Sequence, residues 1–164
     1  MRAQAAWWGS LLTALILQSS VLPFFLPDGF TPDLTRGLVL WLALTGTPGY
    51  GVFLAFAAGF AVDLFAGAPL GLTALMRLVL YGFARPGRGI LEMPFAVFVA
   101  GPLAVLSDTV VILLLQKVLF VNEVSLGVLI ATALKQALVE LASVPLIFII
   151  MELATGYRAD EAPV

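Results

Sequence analysis

Six apolar runs, separated by short polar or Gly/Pro-rich turns, constrain this chain more than any other feature of its sequence. A helix needs about 20 apolar residues to cross the hydrocarbon core of a membrane. Hydrophobic residues make up 62% of the chain and charged residues only 11%, which is too little polar surface to cover a water-soluble globule. The sequence therefore predicts an integral membrane protein.

The predicted spans follow the changes in hydropathy and together form a single membrane domain over residues 1–164. They cover residues 5–26, 34–44, 52–65, 70–83, 95–119 and 126–153, and a polar C-terminal tail follows at 156–164. The second, third and fourth runs are short for a hydrocarbon core of about 30 Å, so we expect them to tilt or to be partly re-entrant. The predicted fold class is an all-α compact bundle of about six transmembrane helices, several of them short or broken; five spans is the alternative.

The first run is longer than the apolar core of a signal peptide, which has about 7–15 residues, so we expect a retained helix. Trp7 and Trp8 near its start are interpreted as an interfacial anchor. Six spans with the N-terminus inside place most basic loop residues on the cytoplasmic side, as the positive-inside rule requires. These residues are Arg2, Arg85, Arg88 and Arg158. Both termini are therefore predicted to be cytoplasmic.

The residue types present exclude most chemistry. The chain has no Cys and no His, which removes thiolate nucleophiles, imidazole bases and almost every transition-metal site. It also has no phosphate-binding glycine loop and no nucleophile elbow. The net charge of −2 gives no basis for nucleic-acid binding. We predict that the protein is not an enzyme and holds no cofactor and no metal.

Five ionisable residues fall within the predicted spans, and each costs about 2.5–3.5 kcal/mol at the membrane centre if it is unpaired. They are Asp63, Arg77, Asp108, Lys135 and Glu140. Asp63 and Arg77 flank one turn, and Asp108 and Lys135 lie on consecutive spans, so these two pairs are predicted. Structural or partner-facing roles are favoured over a proton or ion path, because no span carries a continuous polar stripe.

Small residues recur every four positions along the third span. The ladder consists of Gly51, Ala55, Gly59, Asp63 and Gly67. Such spacing lets helix backbones approach closely in a membrane. We interpret this face as a helix-packing or partner interface and the third span as the central helix. Ala133 and Ala137 repeat the pattern on the last span.

The segment from Gly59 to Gly71 resembles the rod-shape-determining membrane protein family MreD. The family pattern is a glycine, an Asp-Leu pair and a Gly-x-x-Leu-Gly turn, which correspond here to Gly59, Asp63-Leu64 and Gly67 to Gly71. Three further elements occur in the expected order. They are Gln18-Ser19-Ser20, Pro32-Asp33-Leu34 and Asp108 after Ser107.

This resemblance implies a non-enzymatic part of the machinery that keeps rod-shaped bacteria elongated, located in the inner membrane. Such proteins associate with MreC, a single-span protein with a large periplasmic part, and through it with peptidoglycan synthases and the MreB filament. The family fold is similar to that of the substrate-binding subunits of energy-coupling-factor transporters. The resemblance also implies that the signature turn of the family is formed here by Asp63, Gly67, Leu70 and Gly71.

The sequence leaves a second function open, that of a substrate-binding membrane subunit of a vitamin or metal transporter. In that case Arg77, Asp108 and Glu140 would line an outward-facing pocket, and the Ala133/Ala137 face would dock a transport module. Ligand pockets of this kind are usually rich in aromatic residues, whereas all three tryptophans lie in the first two spans. We therefore prefer the hypothesis of a membrane scaffold, which contacts membrane lipid and the helices of partner proteins.

Overall fold

The computed structural model describes residues 2–26, 30–45, 51–66, 69–87, 93–119 and 125–156. These residues form six helical segments. The first comprises α1 (Arg2–Ile16), a π-helical turn (Leu17–Val21) and the short α2 (Leu22–Phe25). The others are α3 (Leu34–Thr45), α4 (Gly51–Ala66), α5 (Leu72–Ala84), α6 (Met93–Leu119) and α7 (Leu126–Thr155). The all-α bundle of about six helices predicted from the sequence is confirmed.

The first segment widens from α-helix to π-helix just before Pro23. Proline has no N–H to donate to the preceding turn, and its ring crowds the carbonyl that would accept that bond. The five-residue π-helical turn Leu17–Val21 lies directly before α2, whose second residue is this proline. The wider turn thus accommodates the hydrogen bond that Pro23 cannot make, and the apolar segment continues as a helix. It also sets Gln18 and Ser19 on an irregular stretch of helix.

The central helix is α3, not α4 as the small-residue ladder predicts. Every residue from Thr35 to Thr45 is buried, and α3 packs against α1, α4, α5, α6 and α7. A helix that is apolar all round is a core helix, because it has no face suited to another environment. With twelve residues it is also shorter than a membrane-spanning helix.

The small-residue face of α4 packs against α5. A Cβ added at Gly59 would lie 2.5 Å from the Cα of Ala74 and 2.6 Å from the carbonyl oxygen of Thr73. Ala55 is fully buried on the same face. The close approach is therefore between two helices of this chain. Gly67, the last step of the predicted ladder, lies outside the described residues.

Helices α6 and α7 are long, and both contain a proline, Pro102 and Pro145. They cross where Gly101 meets α7, since a Cβ there would lie 2.9 Å from the carbonyl oxygen of Glu140. The described residues contain three helices long and apolar enough to cross a membrane, while α3 and α4 are apolar but shorter. The three are Ala5–Phe25, Val97–Leu115 and Leu126–Thr155.

The two tryptophans of α1 do not form the predicted interfacial pair. Trp7 is 2% exposed and belongs to the core, whereas Trp8 is 42% exposed. Adjacent residues on a helix point about 100° apart, so the two rings cannot share one environment. They meet edge to face, with ring centroids 5.0 Å apart.

Candidate functional site

Five charged residues meet inside the bundle, four from different helices and one from the segment before α3, and we call them the charged cluster. They are Asp33, Arg36, Arg77, Asp108 and Glu140. Asp33 precedes α3, where its Oδ1 accepts from the backbone N–H of Arg36 at 3.2 Å. The cluster therefore ties the central helix to α5, α6 and α7.

Arg36 is the centre of this cluster. Its Nη2 and Nε donate to Oδ2 of Asp108 at 2.7 and 3.1 Å. Its Nη1 donates to Oε1 of Glu140 at 2.7 Å and to Oε1 of Gln136 at 3.2 Å. Arg36 is 7% exposed, so its charge depends on these partners rather than on water.

Arg77 adds a second guanidinium from α5. Its Nη1 donates to the same Oδ2 of Asp108 at 3.2 Å, and its Nη2 donates to Oδ2 of Asp33. Asp108 therefore bridges the two arginines through one oxygen. Its other oxygen, Oδ1, is buried and has no hydrogen-bond partner among the described residues.

Glu140 is fully buried on α7. Its Oε1 also accepts from the backbone N–H of Asp33 at 3.2 Å, and its Oε2 accepts from Oγ of Ser143 at 2.6 Å. These bonds connect the start of α3 to the middle of α7. They supply hydrogen-bond donors to a carboxyl group that has no access to water.

Asp33 lies outside the helices and is the most exposed member of the cluster, at 21% of its side chain. Burial alone would raise the pKa of this carboxyl, but the attraction of Arg77 and Arg36 outweighs burial and lowers the pKa well below its usual value. The hydroxyl of Thr35, which donates to Oδ1 at 2.6 Å, acts in the same direction. Asp33 is thus held as a carboxylate.

Both ion pairs predicted from the sequence are wrong. Asp63 binds backbone N–H groups instead of Arg77, and Asp108 binds Arg36 and Arg77 instead of Lys135. Lys135 is exposed on α7 and lies 5.9 Å from the centre of the Phe30 ring. Helices α6 and α7 do pack together, but neighbouring helices present only part of each surface to one another.

Asp63 caps the N-terminus of α5 from the neighbouring helix. Its Oδ2 accepts from the backbone N–H of Gly71 at 2.8 Å, and its Oδ1 accepts from that of Thr73 at 3.0 Å. Gly71 has φ +92°, a left-handed conformation that favours glycine. Leu70 is exposed beside it. Asp63 therefore connects α4 to the start of α5.

A cavity of about 530 Å³ lies against the charged cluster, and we call it the polar cavity. It is lined by the π-helical turn, the residues before α3, and parts of α4, α6 and α7. Its polar lining residues are Gln18, Ser19, Thr31, Asp33, Arg36, Asp108, Thr109, Thr132 and Gln136. Arg77 and Glu140, predicted to line such a pocket, lie behind Asp108 and Arg36 and are not among the lining residues.

A second cavity, of about 710 Å³, lies between α5 and α6 and reaches Leu40 and Leu44 of α3. Its lining is apolar except for Ser107, whose hydroxyl already donates to the carbonyl oxygen of Ala104. The described lining of this second cavity is therefore an apolar packing surface without an unpaired polar group.

The sequence analysis does not include Asp33 and Arg36 among the charges inside the bundle. Both lie at the boundary of an apolar run, where charged residues are common. The sequence contains one signal: Asp33 precedes the run as a helix-capping residue, and Arg36 follows three positions later, one turn inside. A basic residue one turn inside a short apolar helix requires an acidic partner elsewhere in the bundle.

Within the described part of the chain, no group of three or more Asp, Glu, His or Cys residues is arranged to hold a metal ion. The ion pairs of the charged cluster hold its charges in fixed positions beside the polar cavity. No protein-family model, no curated protein and no solved structure matches this chain.

Proposed function

We propose that this chain is a non-enzymatic membrane scaffold of the bacterial cell-elongation complex. In this role it binds an MreC-like single-span protein in the inner membrane and thereby supports rod shape and peptidoglycan synthesis. Peptidoglycan synthases and the MreB filament join through that partner. The chain itself would be multi-pass, with both termini in the cytoplasm.

The joint function of the signature residues carries this proposal. Gly59 admits the backbone of α5, Asp63 caps the first turn of that helix, and Gly71 supplies the left-handed turn. Three positions that define the resemblance to MreD thus depend on one another at a single helix junction. A chance match of an apolar motif gives no reason for such interdependence.

The charged cluster also favours a scaffold over a channel. Its arginines are fixed between carboxylates from separate helices, and buried pairs of this kind are costly to break. A rigid bundle presents constant surfaces to its partners. Because the small-residue face of α4 is taken by α5, a partner helix is expected on the exposed apolar faces of the other helices.

Purification with identification of bound proteins tests this function. The tagged chain, extracted in mild detergent, is expected to retain a single-span protein with a periplasmic coiled coil. Because the chain has no cysteine, single cysteines at exposed positions can carry a photo-crosslinker. Suitable positions are Leu103, Leu134 and Leu146. Crosslinks to the single-span protein from positions on one face only would support docking at that face. The absence of crosslinks to such a protein from all three positions would refute the scaffold function.

A substrate-binding transporter subunit is the second candidate, and the polar cavity is the observation that favours it. Its volume of about 530 Å³ falls within the range of about 300–1,000 Å³ typical of small-molecule sites. Recovery of an ATP-driven transport module in the same purification, in place of the single-span protein, would establish this alternative.

A further inference from the structure

We propose that the polar cavity is a binding site for a small organic cation, one that carries an amidinium or ammonium group on an apolar body, with Asp108 as its charged partner. The inference does not depend on the scaffold function, since a scaffold and a transporter subunit could both hold such a ligand. Four observations carry it: the excess of carboxyl groups over guanidiniums, a carboxyl oxygen without a partner, the size and lining of the cavity, and the irregular helix in its wall.

The charged cluster contains more carboxyl groups than guanidiniums. Three carboxyl groups meet two guanidiniums within the bundle. Lys135, the nearest basic residue along α7, is exposed and does not line the cavity. A cation in the adjoining cavity would bring the number of positive groups to three, equal to the number of carboxyl groups.

Asp108 provides the acceptor for that cation. It is 6% exposed and lines the cavity, its Oδ2 takes both arginines, and its Oδ1 has no partner among the described residues. The buried Oε1 of Gln18, on the cavity wall, is also unpartnered. Asp108 and Gln18 thus line the cavity and each has a buried acceptor without a partner. This matches a ligand that brings N–H donors, and a charged donor gives the stronger bond.

The size and lining of the cavity favour a ligand larger than a bare ion. Its volume of about 530 Å³ is many times the roughly 30 Å³ that one water molecule takes in the liquid. Apolar side chains form the remainder of the wall. They include Leu15, Val62, Phe65, Val105, Ile112 and Leu129. A ligand with a charged head and an apolar body complements both parts.

The wall near Gln18 is the π-helical turn of the first segment. Such turns are found disproportionately at functional sites, because the widened turn redirects side chains that a regular helix would place elsewhere. Here the turn sets Gln18 and Ser19 against the cavity. The irregularity and the unpartnered acceptor therefore coincide.

Three probes of the same shape and different charge test the proposal on the purified full chain in detergent: benzamidine, benzamide and benzoate. Benzamidine is expected to raise the thermal unfolding temperature with saturable concentration dependence and to give a binding isotherm by calorimetry. Benzamide and benzoate are expected to bind at least about tenfold more weakly, a difference of about 1.4 kcal/mol.

A matched pair of variants separates the cavity from the protein surface. Ala133 lines the cavity, and Ala131 is exposed on the same helix. Ala133→Phe fills the site and is expected to weaken benzamidine binding at least about tenfold, whereas Ala131→Phe leaves it unchanged. Asp108→Asn leaves Arg36 paired with Glu140 and Arg77 paired with Asp33. We therefore expect this variant to fold with reduced stability and to lose the preference for benzamidine over benzamide.

Three results would overturn the proposal. The first is no binding of benzamidine at millimolar concentration to a folded chain. The second is tighter binding of benzoate, which would make this an anion site. The third is an equal loss in the Ala133→Phe and Ala131→Phe variants, which would place the probe in the detergent or on the outer surface. None of these outcomes bears on whether a single-span partner is captured.

Discussion

Single residues of one type have different roles in this bundle. Asp63 and Asp108 are both isolated aspartates in apolar sequence, and both are buried. Asp63 receives backbone N–H groups at the start of α5, whereas Asp108 receives two guanidiniums. The first therefore fixes the path of the backbone, and the second fixes the relative positions of helices.

Arg36 and Lys135 give a matched test of the charged cluster, because each variant removes one positive charge from an apolar segment. Arg36→Gln leaves Asp108 and Glu140 without their principal partner and is expected to cost about 3–5 kcal/mol of unfolding free energy. Lys135→Gln, at an exposed position, is expected to stay within about 0.5 kcal/mol. Unfolding of both variants in mixed micelles measures the difference. A larger loss from Lys135→Gln would contradict the cluster.

Asp33 predicts how stability depends on pH. Its pKa is lowered in the folded chain, so its carboxylate stabilises the fold above the unfolded-state pKa of about 3.9, and this contribution is lost as the pH falls further. Unfolding followed from pH 6 to pH 2.5 should show stability falling below about pH 4. The Asp33→Asn variant should show a shallower fall. Identical slopes would mean that the arginines do not stabilise this charge.

At the scale of elements, the junction of α4 and α5 shows why one small residue matters. Gly59→Ala places a Cβ 2.5 Å from the Cα of Ala74, so one of the two backbones must move. We expect a loss of about 1–3 kcal/mol, as in other overpacked sites. Gly82→Ala in α5 is the control, because a Cβ there meets nothing within 4 Å. It should gain up to about 1 kcal/mol from helix propensity. Equal effects in thermal unfolding would refute the close packing.

Hydropathy predicts the positions of the helices well, but it does not predict which helices pack against one another. Apolar runs fix where helices begin and end, since the membrane requires every backbone group to bond within a helix. Which helix occupies the centre depends on how six helices share surfaces, and no local pattern encodes that. At Gly59, one member of the predicted ladder, α4 closely approaches α5, and the buried helix is α3. The sequence does not predict the ion pair between Arg36 and Asp108, because these residues lie 72 positions apart.

At the scale of the whole molecule, α3 is enclosed by the other helices. A lipid-dissolved diazirine probe, activated in vesicles, should therefore label α1, α6 and α7 and leave α3 unlabelled. Peptide mass spectrometry measures the labelling, and the exposed faces of α6 and α7 serve as the internal control. Labelling of α3 equal to that of α6 would contradict a central position.

The burial of α3 has a consequence for how the protein is made. A twelve-residue helix with an arginine in its first turn is a poor signal for insertion into the bilayer by itself. Of the three carboxylates that contact Arg36, only Asp33 is synthesised together with α3. The other two, Asp108 and Glu140, are synthesised 72 and 104 residues later, on α6 and α7. The second helical segment therefore acquires its full set of ion pairs only after the last helix has been made, so the order of synthesis and the order of assembly are opposed.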